Sequence, residues 1–353
     1  MSMGSGRPTM VCPFQRESPN RRRWRRFRRN RRGYWSLVIL AIFFFISLFA
    51  EVLSNDTPLL VVYQGKPYVP LLVSYPETTF GGEFATATDY SDPYFAELLT
   101  RAGGWALYPP NRHSFNSINL LIDGPVPSPP DADNLLGTDD RGRDVLARLL
   151  YGFRLSVLFG FALTLVGTGA GIVVGAVQGY FGDRTDLICQ RFIEIWGAMP
   201  ELYLLIIFSS IFEPSFLLLL VLLSLFSWMG LADYVRAEFL RGRNMDYVKA
   251  ARALGVGNVT IMARHLLPNG MTPVITFLPF RVSSAILALT SLDFLGLGVP
   301  PSTPSLGELL AQGKANIDAW WISLPTFLVL VGMLVLLIFI GEGLREAFDP
   351  RKN

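Results

Sequence analysis

Long runs of apolar residues separated by short polar stretches set the character of this chain. They occupy residues 36–53, 155–180, 202–212, 216–232, 273–292 and 324–341. About 20 such residues in helical form cross the roughly 30 Å hydrocarbon layer of a bilayer, and the third run is short for that purpose. An isolated strand would leave its backbone polar groups unsatisfied in lipid, so all of the runs are predicted to be helices. The pattern reads as an all-α polytopic membrane protein of about six spans.

Between the first and second runs the pattern changes. Residues 54–154 are rich in Pro, Gly and aromatics, as in "YQGKPYVPLLVSYPETTFGGEF" and "WALYPPNRHSF", and short apolar pieces such as "PLLVVY" predict brief strands and turns. "DGPVPSPPDADN" reads as an extended tether. This mixed insertion is long enough for a small domain. It suits either a packed cap on the membrane or a docking surface for a partner outside the cell membrane. After the tether, "NLLGTDDRGRDVLARLLYGFRLSV" predicts an interfacial helix with an apolar face of Val145, Leu146, Leu149 and Leu150. Its acids, Asp139, Asp140 and Asp144, fit a helix N-terminus far better than a metal site.

Composition agrees: 51% of the 353 residues are hydrophobic and 17% charged, with mean hydropathy +0.37, too apolar for an ordinary soluble protein. The net charge of +3 is unevenly spread. "RRRWRRFRRNRR", Arg21 to Arg32, abuts the first run, and Arg236, Arg241, Arg243, Lys249, Arg252 and Arg264 gather between the fourth and fifth. The tail adds Arg345, Arg351 and Lys352, whereas the stretch around Glu213 has no cation and the one before the last run only Lys314. By the positive-inside rule both termini are cytoplasmic and 54–154 lies outside. An arginine run can also bind nucleic acid, but one abutting a span serves topology and anionic headgroups, so no nucleic-acid partner is expected. The bulky "IFFFISLFA" lacks a small-residue cleavage site after it and reads as a retained anchor. The organisation expected is a basic tail (1–35), a first span (36–53), the outer segment (54–154), a permease-like bundle (155–342) and a short tail (343–353).

Little chemistry is available for catalysis. Cys12 and Cys189 both fall on the cytoplasmic side and imply no disulfide. His113 and His265 lie on opposite sides, which leaves no metal cluster and no cofactor site. No G-x-S-x-G, H-E-x-x-H or G-x-x-x-x-G-K-[ST] occurs, so neither an intramembrane hydrolase nor a nucleotide cradle is indicated. An ion-coupled secondary transporter would show internal repeats and carboxylates within spans; no clear repeat is present and Asp293 sits at a span's edge. A membrane scaffold is the remaining alternative.

Two features carry more information. Gly167, Gly171, Gly175 and Gly179 recur every four residues and make a smooth stripe on one face of the second span, for close approach of another helix within the chain or across a subunit boundary. Arg281 is a cation well inside a span, where a charge costs at least ~2.5 kcal/mol, so its face, with Ser284 and Ser291, is expected to turn away from lipid. That face lines a cavity or pairs with a neighbouring span.

"VKAARALGVGNVTIMARHLLPN", 248–269, stands apart as a charged, glycine-broken segment between spans. Asp246 to Ala253 forms a helix, Gly255 ends it in the left-handed conformation, Asn258 caps a second helix and Pro268 limits that one. Small Ala250 and Ala251 are placed for another protein to come close. Periodicity alone leaves open a loop lying on the membrane and a docking element. The segment resembles the cytoplasmic "EAA" loop of ABC importer permeases, with Ala250, Ala251, Gly255, Leu267 and Pro268 in the family's spacing, Lys249 in place of Glu and His265 in place of Ile. "LGTDDRGRDVLARLLYG", "SLDFLGLGVPPSTPSLGELLAQGK" and "GEGLREAFDPR" are similar to the dipeptide/oligopeptide permeases within that group, and the outer segment resembles the branch of YejE-type subunits of peptide (microcin C) importers. The resemblance implies the type I ABC importer permease fold and a non-enzymatic subunit in the bacterial inner membrane. It also implies peptide cargo, a second homologous permease, a cytoplasmic ATPase that docks on 236–269, and an extracytoplasmic peptide-binding protein.

Overall fold

The computed structural model describes residues 18–119, 122 and 124–349; Cys12, Arg351 and Lys352 lie outside them. The arginine-rich stretch forms a helix of its own, α1 (Pro19–Arg29). Asn30 then breaks the chain in an extended conformation, and its side chain accepts from the Gly33 amide to cap α2 (Arg31–Leu48), which α3 (Ala50–Leu53) continues.

Beyond α3 the chain leaves the bundle and builds a small domain. Strands β1 (Leu60–Tyr63), β2 (Lys66–Tyr68) and β3 (Trp105–Leu107) pair antiparallel in the order β2–β1–β3, with Val61 opposite Tyr68 and Ala106. Gln64 and Gly65 close the first hairpin with φ of 49° and 76°, the two left-handed residues that match strand twist. α4 (Pro93–Arg101), capped by Asp92, covers the sheet. The core is aromatic: Phe80 is buried, and Tyr63, Tyr68, Tyr75, Tyr90 and Phe95 meet it edge-on at centroid distances of 5.3 to 6.1 Å.

The second half is the bundle. α5 (Val145–Phe181) is followed by α6 (Asp183–Gly197) and α7 (Glu201–Ile211), which together are apolar enough for one span but bend by 64°. α8 (Phe216–Ser227) and α9 (Met229–Gly242) form another span, and α10 (Asp246–Ala253) stands outside it. α11 (Asn258–Thr260), a π-helical turn (Ile261–Leu266) and α12 (Leu267–Phe294) follow as one length of helix. α13 (Leu306–Ala315) is short, and α14 (Trp320–Phe348) closes the chain. Among the described residues five helices are long and apolar enough to cross a bilayer, or six with the bent pair.

Three expectations change. The predicted interfacial helix is the opening of α5 itself: Arg148 is buried among ion-pair partners while Val145 and Leu149 enter the core. The short third run is half of a broken pair, its other half hidden in sequence by the charges of Asp183–Gly197. Pro268 does not end its helix. It stands at the second position of α12, just after the π-helical turn, and widening of the preceding turn is a recognised way to relieve the proline ring's conflict with the carbonyl four residues back.

The two ends of the bundle are distinct. At one end Phe27 of α1 packs with Ala347 and Phe348 of α14, Asn30 Nδ2 donates to Glu346 Oε2 at 2.7 Å, and the Tyr180 hydroxyl reaches Asn258 Oδ1 at 2.7 Å. At the other end the small domain is tied down. Tyr151 donates to the Ser54 carbonyl at 3.0 Å, Asn111 to Asp144 at 2.9 Å and Trp321 to the Thr138 carbonyl at 3.2 Å.

Candidate functional site

The segment from 246 to 268 forms a clamp at the arginine-rich end. Asp246 opens α10, where the helix dipole favours it, and sits 3.7 Å from Lys249. Gly255 closes the helix with φ 78°; its amide donates to the Arg252 carbonyl at 3.0 Å and the Val256 amide to the Ala251 carbonyl at 3.1 Å. These two bonds are the Schellman arrangement, which demands a left-handed residue. Val248, Ala251, Ile261 and Leu266 then bury themselves against Ala176 and Tyr180 of α5, Phe239 of α9 and Val274 of α12. One small element therefore holds the ends of three long helices.

Of the residues expected to receive a partner, Ala250, Gly255 and Pro268 are exposed, Leu267 is half-buried against the same cluster, and Ala251 is buried inside it. Ala251 thus serves the clamp's own packing and only Ala250 faces outward. What the sequence reading missed is the apolar surface beside it. Leu254 is 84% exposed and Val259 79%, with Tyr247 also exposed. Tyr247, Ala250 and Leu254 follow the i, i+3, i+7 spacing of one helix face, which was the available signal. Asn258 does not act as a cap: Gly257 holds that position without a side-chain bond, and the Asn258 side chain accepts from Tyr180 instead.

A cavity of about 530 Å³ lies deeper in the bundle. α5 contributes Thr164, the α6–α7 bend Met199 and Glu201, the α8–α9 junction Phe226, Ser227 and Met229, and α12 Arg281, Ser284 and Ala288. Arg281 Nη2 donates to the Ser227 carbonyl at 2.7 Å, while its Nε is buried without a partner. Arg281 thus both pairs with a neighbouring span and lines the cavity. Ser284 is exposed on the lining; Ser291 is exposed farther along α12 and is not part of it.

The glycine stripe packs within the chain. A Cβ at Gly171 would meet the Trp228 carbonyl at 2.9 Å, and one at Gly175 or Gly179 would come within 3.0 Å of the Ala232 or Arg236 carbonyl. α5 and α9 therefore touch backbone to backbone. Gly167 leaves room for the Arg281 guanidinium, whose Nη2 would be 2.9 Å from its Cβ.

At the opposite end, the acids before α5 divide their roles. Asp144 caps the helix by accepting from the Ala147 amide at 2.7 Å. Asp139 instead joins a buried quartet, 2.6 Å from Arg143 and 3.5 Å from Arg148, and both arginines reach Glu308 of α13, at 3.4 and 2.5 Å. Burial pushes the Glu308 carboxyl above its usual range, against the opposing pull of Arg148 and Arg143. Arg143 also donates to the Pro301 carbonyl at 2.8 Å, so the quartet fastens α5 to α13 and the loop before it.

Comparison with known proteins gives the chain a family. Residues 167–353 fit the family model described as binding-protein-dependent transport system inner membrane component, and 18–76 that of the N-terminal TM domain of oligopeptide transport permease C. The chain is similar to the inner membrane ABC transporter permease protein YejE of Escherichia coli, at 54% identity over 96% of this chain and 99% of that one. It is also similar to the peptidoglycan transport system permease protein YejE of Agrobacterium fabrum, at 49% over 100% and 99%. The dipeptide transport system permease protein DppC of Haemophilus influenzae is 37% identical over 62% of this chain and 74% of its own length. A solved chain of the MetNI methionine ABC transporter superposes with a TM-score of 0.48 at 17% identity, covering 58% of this chain and 97% of that one. With full-length relatives at this identity and a family model over its bundle, the chain belongs to the inner-membrane components of binding-protein-dependent transport systems, the ABC importer permeases, on their YejE-type branch.

Proposed function

We propose that this permease carries peptides inward across the bacterial inner membrane, driven by a separate cytoplasmic ATPase that docks on the outward face of α10 and α11. The observation that carries the reading is the clamp. Tyr247, Ala250, Leu254 and Val259 offer an apolar surface to a partner, while Val248, Ala251, Ile261 and Leu266 are packed into α5, α9 and α12. α5 and α12 line the cavity through Thr164 and Arg281, and the α8–α9 span does so through Ser227 and Met229. Force applied at Leu254 is therefore delivered to the walls of the cavity through buried contacts. Closure of the ATPase would tilt these walls and change which side the cavity faces. This subunit then does mechanical work and no catalysis, and needs no cofactor of its own.

Sidedness follows from charge. Arg21 to Arg32, the basic clamp and the end of α14 share one end of the bundle, which the positive-inside rule makes cytoplasmic, with both termini there. Residues 54–144 then face the periplasm, where a peptide-binding protein delivers cargo. A second homologous permease completes the path, and the exposed apolar flanks of the spans meet it or lipid. Peptide cargo is supported by the names of the relatives, which include dipeptide and oligopeptide permeases. The test is uptake of labelled tripeptides by a strain lacking this gene, with the chain and its partners restored. Uptake that returns only with ATP available supports the reading. Restoration of an ion-gradient-driven flux without the ATPase would refute it.

A further inference from the structure

The cavity carries two charges of opposite sign that do not neutralise each other. Arg281 enters from α12 and Glu201 from the start of α7. Among the described residues neither forms an ion pair: Arg281 has only the Ser227 carbonyl, with Nε unsatisfied, and Glu201 has no side-chain partner. The other charge cluster of the bundle is arranged differently: Asp139, Arg143, Arg148 and Glu308 pair with one another. Both side chains line one cavity of the bundle and no bond joins them, although charge without a partner is costly away from bulk water.

The remaining walls are of a different kind. Met199, Met229 and Phe226 surround the charges with soft, adaptable apolar surface, the lining that accommodates side chains of varied shape. Thr164 adds a hydroxyl that is buried without a partner. A ligand fitting this arrangement is dipolar, with one cationic and one anionic end and a variable apolar body between them, and the volume of about 530 Å³ suits a few residues of peptide.

Resting on the peptide reading above, we infer that Glu201 and Arg281 form a dipolar waystation in the translocation path, Glu201 taking the peptide's α-ammonium and Arg281 its terminal carboxylate. Arg281 is suited to the carboxylate because its unused Nε and remaining N–H groups can bind it while Nη2 stays fixed on Ser227. No bond is made or broken; the two charges replace water around the peptide termini during passage.

The experiment uses the complete importer in vesicles with its binding protein and ATP. One tripeptide is supplied in three forms, free, C-terminally amidated and N-acetylated, each at a concentration shown to saturate the binding protein, so that the turnover rate reports on the membrane step. The wild type should favour the free form over the amide by roughly tenfold, the scale of a charge-assisted hydrogen bond. Arg281→Gln should bring that ratio close to one while leaving the free-to-acetyl ratio intact, and Arg281→Lys should retain most of it. Glu201→Gln should collapse the free-to-acetyl ratio alone. Because each ratio is taken within one variant, poor assembly cannot mimic the result. Equal slowing of all three forms in both variants, or unchanged ratios, would overturn the inference and assign these charges to contacts with the second permease. A wild-type complex that moves none of the three would instead overturn the peptide reading itself.

Discussion

Replacing Gly255 isolates the clamp from every other feature. Its φ of 78° costs an L-residue about 1–2 kcal/mol, and a β-branched side chain falls at the upper end of that range. No steric term adds to this, since a Cβ at Gly255 meets nothing within 4 Å. In Gly255→Val the chain either keeps the turn and bears the strain, or abandons it and loses the bonds to the Arg252 and Ala251 carbonyls, each worth about 1 kcal/mol. Strain of about 2 kcal/mol shifts the equilibrium between kept and abandoned turn roughly 30-fold, which about cancels the two bonds that hold it, so that about half of the subunits no longer present Leu254 to the partner. The strain is local to an exposed turn, so the subunit should still reach the membrane in normal amount. Peptide uptake in Gly255→Val cells is expected to fall at least about twofold, with Gly255→Ala intermediate and Gly255→Asn near wild type, because Asn tolerates the left-handed region. Normal uptake in the Val variant, or equal loss in Val and Asn, would refute this account of the turn.

Three further outcomes follow from the bundle. Gly175→Val forces side-chain atoms against the Ala232 carbonyl and Val235 and should deplete the folded subunit, whereas Gly169→Val, with open space around it, should accumulate normally on an immunoblot of membranes. Glu308→Ala leaves Arg143 and Arg148 sharing Asp139 in a buried site, a loss of about 3–5 kcal/mol, visible as a lower unfolding temperature of the purified protein; an unchanged transition would show that the quartet is not stabilising. Cysteines at Ser284 and Ala288 should react with small hydrophilic reagents at a rate that changes when the ATPase is trapped with nucleotide, and inertness of both in every state would remove the cavity from the path.

Much of the fold could be read directly because a span needs little more than length and apolarity. α2, α5 and α14 each contain a long run without a charge, α12 contains one with the single charge of Arg281, and Gly255 announces its turn by being the residue that adopts a positive φ without strain. What stayed hidden depends on pairing across sequence. Arg148 looks like a surface charge until Asp139 and Glu308 are seen beside it. α6 conceals its place in a span behind Asp186, Arg191 and Glu194, and Asp186 is in fact ion-paired to Arg236 of α9. Glu201 acquires significance only because the 64° bend carries it to the same cavity as Arg281. In the clamp, the spacing revealed the turn, but which alanine faces outward depends on where α5 and α9 end.

Cross-linking tests most directly whether the energy of ATP enters this subunit at the exposed face of α10 and α11. A cysteine at Leu254, another at Val259 and a control at the exposed Phe84 of the opposite domain are each introduced into the assembled importer and treated with a short bifunctional reagent. Leu254→Cys and Val259→Cys should cross-link to the ATPase, with a yield that differs between the nucleotide-free and ATP-trapped states, and the bridged complex should lose peptide uptake; Phe84→Cys should give no such product. Absence of any ATPase adduct from both clamp positions, or full uptake by the bridged complex, would contradict the account.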